Sequence, residues 1–165
     1  MVNFRAMKRR KIIQLLAAFC VTLSTAHAEK QSKPPQDAVA FEQHYYKFIK
    51  ELCSWQEAVD KCTNMGGVLV SIKDHKTDRF LFKLSQGQCF WAGASDKKKE
   101  GEWLWLDGTK VTYTNWAPDE PDNWNGGEHC LVIAWPGQRF ANGKWGDTKS
   151  HQRSQIKGFI CQWKK

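Results

Sequence analysis

The chain has 165 residues, 25 of them basic and 17 acidic, for a net charge of +8. That length holds one modest domain plus a targeting segment, not an array of domains. Five of the basic residues (Arg5, Lys8, Arg9, Arg10 and Lys11) fall near the start, so the excess charge belongs to one end and excludes a nucleic-acid reading built on it.

Residues 1–28 read as a secretory signal peptide. Lys8-Arg9-Arg10-Lys11 open it, residues 12–23 form an apolar run too short for a membrane span, and Ala26-His27-Ala28 has the small-x-small form of a cleavage site. A mature chain from Glu29 carries a net charge of only +3. The expected location is therefore secreted and extracellular, where disulfides are permissible. Cys20 leaves with the signal, so five cysteines remain: Cys53, Cys62, Cys89, Cys130 and Cys161. An odd count leaves at least one free or paired between chains.

Residues 29–40 are polar, contain Pro34-Pro35 and lack any pattern, which predicts a linker; the domain should span 41–165. Residues 44–48 read as a first strand. Ser54-Trp55-Gln56-Glu57 is a capping box, and Trp55, Ala58, Val59 and Cys62 follow it on one helical stripe, ended by Gly66-Gly67. A second helix should start near Asp74 and carry Phe80, Leu81 and Leu84 inward before Gly87. Beyond it the helical period gives way to short apolar runs at 90–94, 103–106, 130–135 and 159–163, separated by turns such as Asp107-Gly108 and Asn142-Gly143. The plan is α+β: two helices, then short antiparallel strands with long loops. Lys97-Lys98-Lys99, between Asp96 and Glu100, reads as a solvated loop.

The loop at 116–128 is long for so compact a domain, and such loops tend to carry function. It contains Glu120-Pro121-Asp122 and Glu128; past a strand-like segment comes Trp145-Gly146-Asp147. An X-Pro bond accepts the cis form cheaply, and in cis it would send the Glu120 and Asp122 side chains to one side. Four carboxylates on irregular backbone describe a site for a hard cation such as Ca2+, which takes six to eight oxygens. By itself a wet acidic loop would look the same. There is no Cys-x-x-Cys, and Glu128-His129-Cys130 lacks further zinc ligands nearby. Nor is there a His-Glu-x-x-His, a nucleophile elbow or a phosphate-cradling glycine loop, so no enzyme is expected.

From about Phe41 to Trp163 the chain resembles a C-type lectin-like domain. The resemblance rests on Trp55-x-x-Ala58-x-x-x-Cys62, Gly67-x-Leu69, Trp91-Ala92-Gly93-Ala94, Asn115-Trp116, Glu120-Pro121-Asp122, Glu128-x-Cys130, Trp145-x-Asp147 and Phe159-Ile160-Cys161, in that order. It implies a C-type lectin-like fold stapled by a Cys62–Cys161 disulfide. It also implies one Ca2+ held by Glu120, Asp122, Glu128 and Asp147, with two vicinal sugar hydroxyls completing the ion's shell. The partners would be glycans of mannose or galactose type, with Trp124 placed to stack on a sugar face. An auxiliary cation position would use Asp96, Glu100 and Asn123, although His129 stands where a further acid is usual.

Three departures from the family pattern matter. Gly146 replaces the family's Asn, removing a neutral ligand that also donates to sugar. The triplet joins the Glu of the mannose-type loop to the Asp of the galactose-type loop, and carboxylates accept hydrogen bonds without donating them. Cys130 lacks its family partner and should be a buried thiol; Cys53 and Cys89, with no usual counterparts, are expected to pair with each other. The alternative function is a calcium-independent lectin-like domain binding a protein or another non-sugar ligand. No coiled-coil stalk is present, so an oligomer would form through the domain surface or the odd cysteine.

Overall fold

The computed structural model describes residues 33–165; the signal peptide read at 1–28 lies outside the described residues. Helix α1 (Trp55–Asn64) opens on the expected capping box, in which Ser54 N–H donates to the Glu57 carboxylate at 2.7 Å and Glu57 N–H donates back to the Ser54 hydroxyl at 3.3 Å. These bonds satisfy amides that the first turn would otherwise leave orphaned. Its stripe buries Ala58 and Cys62, with Trp55 and Val59 half-buried. Helix α2 (His75–Leu84) is capped by Asp74, which accepts from Thr77 N–H at 2.8 Å. It buries Leu81 and packs Phe80 and Leu84 against the same core.

Eight strands form one sheet: β1 (Val39–Phe41), β2 (His44–Ile49), β3 (Val68–Leu69), β4 (Phe90–Ser95), β5 (Leu104–Trp105), β6 (Cys130–Ile133), β7 (Trp145–Thr148) and β8 (Gly158–Lys164). The main order is β1-β2-β8-β4-β6-β7, with β3 on β8 and β5 on β4. The α+β plan holds, with three corrections. Strand β1 begins at Val39, inside the segment expected to be linker, because residues 39–41 pair with 44–46 across a tight turn. The sheet is not wholly antiparallel: β4 and β8 run parallel, which the long connection between them permits. A third, short helical segment, Gln138–Gly143, joins β6 to β7.

The core has two parts. One gathers Leu81, Phe90, Leu131, Ile133, Trp145 and Ile160; the other gathers Ala58, Leu69, Trp91, Phe159 and Trp163 around Cys62 and Cys161. Close strand packing explains Gly93, since a Cβ there would lie 2.5 Å from the Leu69 carbonyl oxygen. Cys62 and Cys161 are bonded, joining α1 to β8. The expected Cys53–Cys89 bond is absent. Both are free, buried thiols in the cluster around Cys62 and Cys161, where the Cys53 carbonyl accepts from the Trp91 indole and the Cys89 carbonyl from Lys157 N–H. Cys130 is likewise a buried free thiol, as expected. No helix among the described residues is long and apolar enough to cross a membrane.

Candidate functional site

The long loop is rooted on β7. Ala117 N–H donates to the Trp145 carbonyl at 2.8 Å, and Trp145 N–H donates to the Asn115 carbonyl at 2.9 Å. Trp116 packs edge-on against Trp145, with ring centroids 5.7 Å apart. The paired backbone bonds and the packed rings give the loop a fixed platform from which to leave the core. Beyond it the Glu120–Pro121 bond is cis, and Asp119, Asn123 and Asn125 all take positive φ. Asp and Asn tolerate that region better than other non-glycine residues.

Glu120, Asp122 and Asp147 come together, each with a carboxylate oxygen within 4.8 Å of the others. Glu128 lines the same pocket of about 320 Å³ but stands outside that close trio; it accepts from Trp124 N–H at 3.2 Å. Asp147 organises the trio. One of its oxygens accepts Asp122 N–H at 3.1 Å and the other accepts Asn123 N–H at 3.0 Å. Glu120 in turn accepts Asp147 N–H at 3.2 Å. The Glu120 side chain is almost wholly buried, with 3% exposed. Burial, followed by the contact with Asp147 and the charge of Asp122, lifts its carboxyl from 4.5 to about 8, although Arg139 opposes the rise. Burial also raises Glu128, helped by the charge of Asp147. This donor set fits a hard cation, and a cation already stands in: the Arg139 guanidinium lies 2.5 Å from Glu120 Oε1 and 3.8 Å from Asp122 Oδ2.

Trp124 is 65% exposed at the pocket rim, as stacking on a ligand face would require. Four lining residues were missed by the sequence reading: Trp135, Thr148, Arg139 and Phe140. The last two sit on the Gln138–Gly143 segment, whose only sequence signal was the turn chemistry of Asn142-Gly143. The auxiliary residues also meet, in altered form. His129 Nδ1 lies 3.0 Å from an Asp96 oxygen and 3.5 Å from Glu100, and Asp96 is buried. Asn123 is not free to join them as an oxygen ligand. Its side-chain oxygen accepts Gly127 N–H at 2.6 Å and Glu128 N–H at 3.0 Å, and its amide donates to Glu100. The residue holds the loop's turn closed.

Residues 51–163 match the family model described as Lectin C-type domain. The chain is 34% identical over 128 residues to the low affinity immunoglobulin epsilon Fc receptor of Mus musculus, covering 78% of this chain and 36% of that protein. It is 33% identical over 123 residues to perlucin of Haliotis laevigata, covering 72% of this chain and 74% of perlucin. The chain spans only about a third of the receptor relatives it matches, and less of the proteoglycan ones. Among solved structures, the mouse scavenger receptor C-type lectin carbohydrate-recognition domain aligns with a TM-score of 0.71 at 28% identity, covering 81% of this chain and 99% of that one. The cow C-type carbohydrate-recognition domain of CD23, solved in the presence of a GlcNAc2Man3 oligosaccharide, gives 0.71 at 29% identity over 81% and 98%. The chain belongs to the lectin C-type domain family, a family of non-enzymatic binding proteins.

Proposed function

We propose that the chain is a secreted, calcium-dependent carbohydrate-binding module whose Ca2+ is held by Glu120, Asp122, Glu128 and Asp147. The meeting of Glu120, Asp122 and Asp147 within 4.8 Å supports this reading above all else. When bound, the ion would supply coordination to two vicinal hydroxyls of a mannose- or galactose-type sugar. The chain's own residues do the rest. The carboxylates accept hydrogen bonds from those hydroxyls, and charge assistance makes each such bond stronger than a neutral one. Trp124 offers a ring for the apolar face of the sugar, and Asp147 fixes the loop amides that shape the site. Few contacts form in so open a pocket, so a single sugar binds weakly and useful avidity would come from assembly. The Asp96–Glu100–His129 group would be a second cation position. Secretion through residues 1–28 agrees with the Cys62–Cys161 disulfide and with a relative named salivary C-type lectin 2 of Aedes albopictus.

The test is retention of the mature protein on mannose- and galactose-bearing resins with calcium, and its release by EDTA. Failure on both resins, with no calcium-dependent rise in melting temperature, would leave the second reading. That reading is a calcium-independent domain with a protein or other non-sugar ligand. One observation favours it: the Arg139–Glu120 ion pair gives the buried carboxylate a cation without any metal.

A further inference from the structure

We propose that Arg139 is a sugar-contacting, specificity-determining residue that supplies the hydrogen-bond donor missing at Gly146. The inference rests on the calcium-dependent reading above and adds a residue to it. Three observations carry it.

The first is steric. Phe140 is buried, with 6% exposed, and its ring fills the space beside Gly146. A Cβ built at position 146 would lie 2.6 Å from Phe140 Cε1 and 3.0 Å from Glu120 Oε2. Heavy atoms do not approach so closely, and one obstacle is a packed ring. While Phe140 occupies that space, no side chain fits at 146. The glycine is therefore the complement of Phe140 and not simply a lost ligand.

The second is the chemistry of the lining. Glu120, Asp122, Glu128 and Asp147 are acceptors only when ionised, whereas a sugar hydroxyl also needs donors for its lone pairs. Arg139 is the one cationic side chain among the residues lining the pocket. Its guanidinium carries five N–H donors in a planar fork, more than the contacts to Glu120 and Asp122 consume. Four carboxylates against one divalent ion leave two negative charges, and Arg139 removes one of them.

The third is support. The guanidinium carbon lies 4.8 Å from the centre of the Phe140 ring, and Glu120 holds the other side of the fork. A long side chain held at two places loses less freedom when it meets a ligand. The segment thus brings a filler and a donor together: Phe140 excludes the amide, and Arg139 replaces it.

Calorimetry on Arg139→Ala, Arg139→Gln and the wild type tests this, first titrating calcium, then mannose and galactose into the calcium-loaded protein. Arg139→Ala should keep or tighten calcium binding and lose about tenfold in sugar affinity, the ratio that one charge-assisted hydrogen bond carries. Arg139→Gln, which retains a neutral amide, should recover part of that loss. A triple variant, Arg139→Ala with Phe140→Ala and Gly146→Asn, should regain sugar affinity over Arg139→Ala by returning the donor to position 146. Sugar affinity unchanged in Arg139→Ala overturns the role of Arg139 while leaving the calcium reading intact. Loss of calcium and sugar together in a folded Arg139→Ala also overturns it, because the residue would then be holding the loop. A wild-type chain that takes up no calcium overturns both proposals.

Discussion

The Trp145 indole donates to the Asp78 carboxylate at 3.2 Å, tying helix α2 to the strand that carries Asp147. Asp78 is buried and also accepts from the Tyr113 hydroxyl at 2.9 Å and the Asn115 amide at 2.8 Å. Burial pushes its carboxyl above the ordinary range while these three hydrogen bonds pull it back. Asn115 and Trp145 are the two ends of the loop's root, so one carboxylate secures both. Asp78→Ala should leave the Trp145 indole without an acceptor, and the Tyr113 hydroxyl and Asn115 amide with only the long contacts to His75 Nδ1 and the Gly143 carbonyl, at a cost of about 3 kcal/mol. Denaturant unfolding would measure that loss, and calcium titration should show weaker binding as the root loosens. Unchanged stability would mean that water replaces the carboxylate.

The four calcium residues should not be equivalent. Asp147 belongs to the close trio and also accepts the Asp122 and Asn123 amides, whereas Glu128 stands farther out. Calcium at a hundred times its Kd should stabilise the wild type by about 2.7 kcal/mol, a melting-temperature rise of roughly 10 °C. Asp147→Ala should abolish that rise and lower the metal-free melting point as well. Glu128→Gln should reduce the rise without removing it. Scanning calorimetry with calcium and with EDTA separates these outcomes, and equal effects from the two substitutions would contradict the graded arrangement.

Glu120 makes the site sensitive to pH. Its carboxyl titrates at about 8 in the metal-free protein, against an ordinary value of 4.5, because it is buried beside Asp147 and Asp122. A carboxyl raised on folding favours the protonated form, so its contribution to metal-free stability is greatest at low pH. That contribution falls as pH climbs from about 4.5 to about 8. Calcium requires the ionised form and must expel the proton. Apparent calcium affinity should therefore rise with pH and level off above about 8. Calorimetry in buffers of different ionisation heat should detect proton release below that point. An affinity flat between pH 5 and 8 would contradict the assignment.

Much of the fold was legible because its signals are local. Ser54 and Glu57 close a capping box three residues apart, and Ala58 and Cys62 share one helical face. The carboxylate trio was legible for a different reason: acids around a proline in a loop are unusual enough to stand out. Arg139 and Phe140 were invisible because nothing in Gln-Arg-Phe-Ala-Asn-Gly speaks of a site. Their roles arise only when β6 and β7 pair and fold the intervening segment over Glu120. The same holds for Asn123, whose oxygen looked free to bind a cation until the turn amides of Gly127 and Glu128 claimed it. The parallel contact of β4 with β8 joins residues too distant in sequence for any local pattern to announce.

Among the described residues the five cysteines divide into one working bond and three inert thiols. Cys62 and Cys161 are 99 residues apart, and closing a loop of that length is worth about 4–5 kcal/mol in the chain-entropy model. Burial lifts the Cys53 thiol to about 11 and those of Cys89 and Cys130 to about 12, so the reactive thiolate is scarce at neutral pH. Iodoacetamide should therefore leave all three unlabelled in the native protein and modify all three after denaturation, as peptide mass spectrometry would show. Cys62 and Cys161 should stay unlabelled until a reductant is added. Cys62→Ala with Cys161→Ala should lower the unfolding free energy by about the loop-closure amount. It should also speed labelling of Cys53, Cys89 and Cys130, because these share the cluster the bond holds together. Labelling rates unaffected by loss of the bond would show that the cluster opens independently of it.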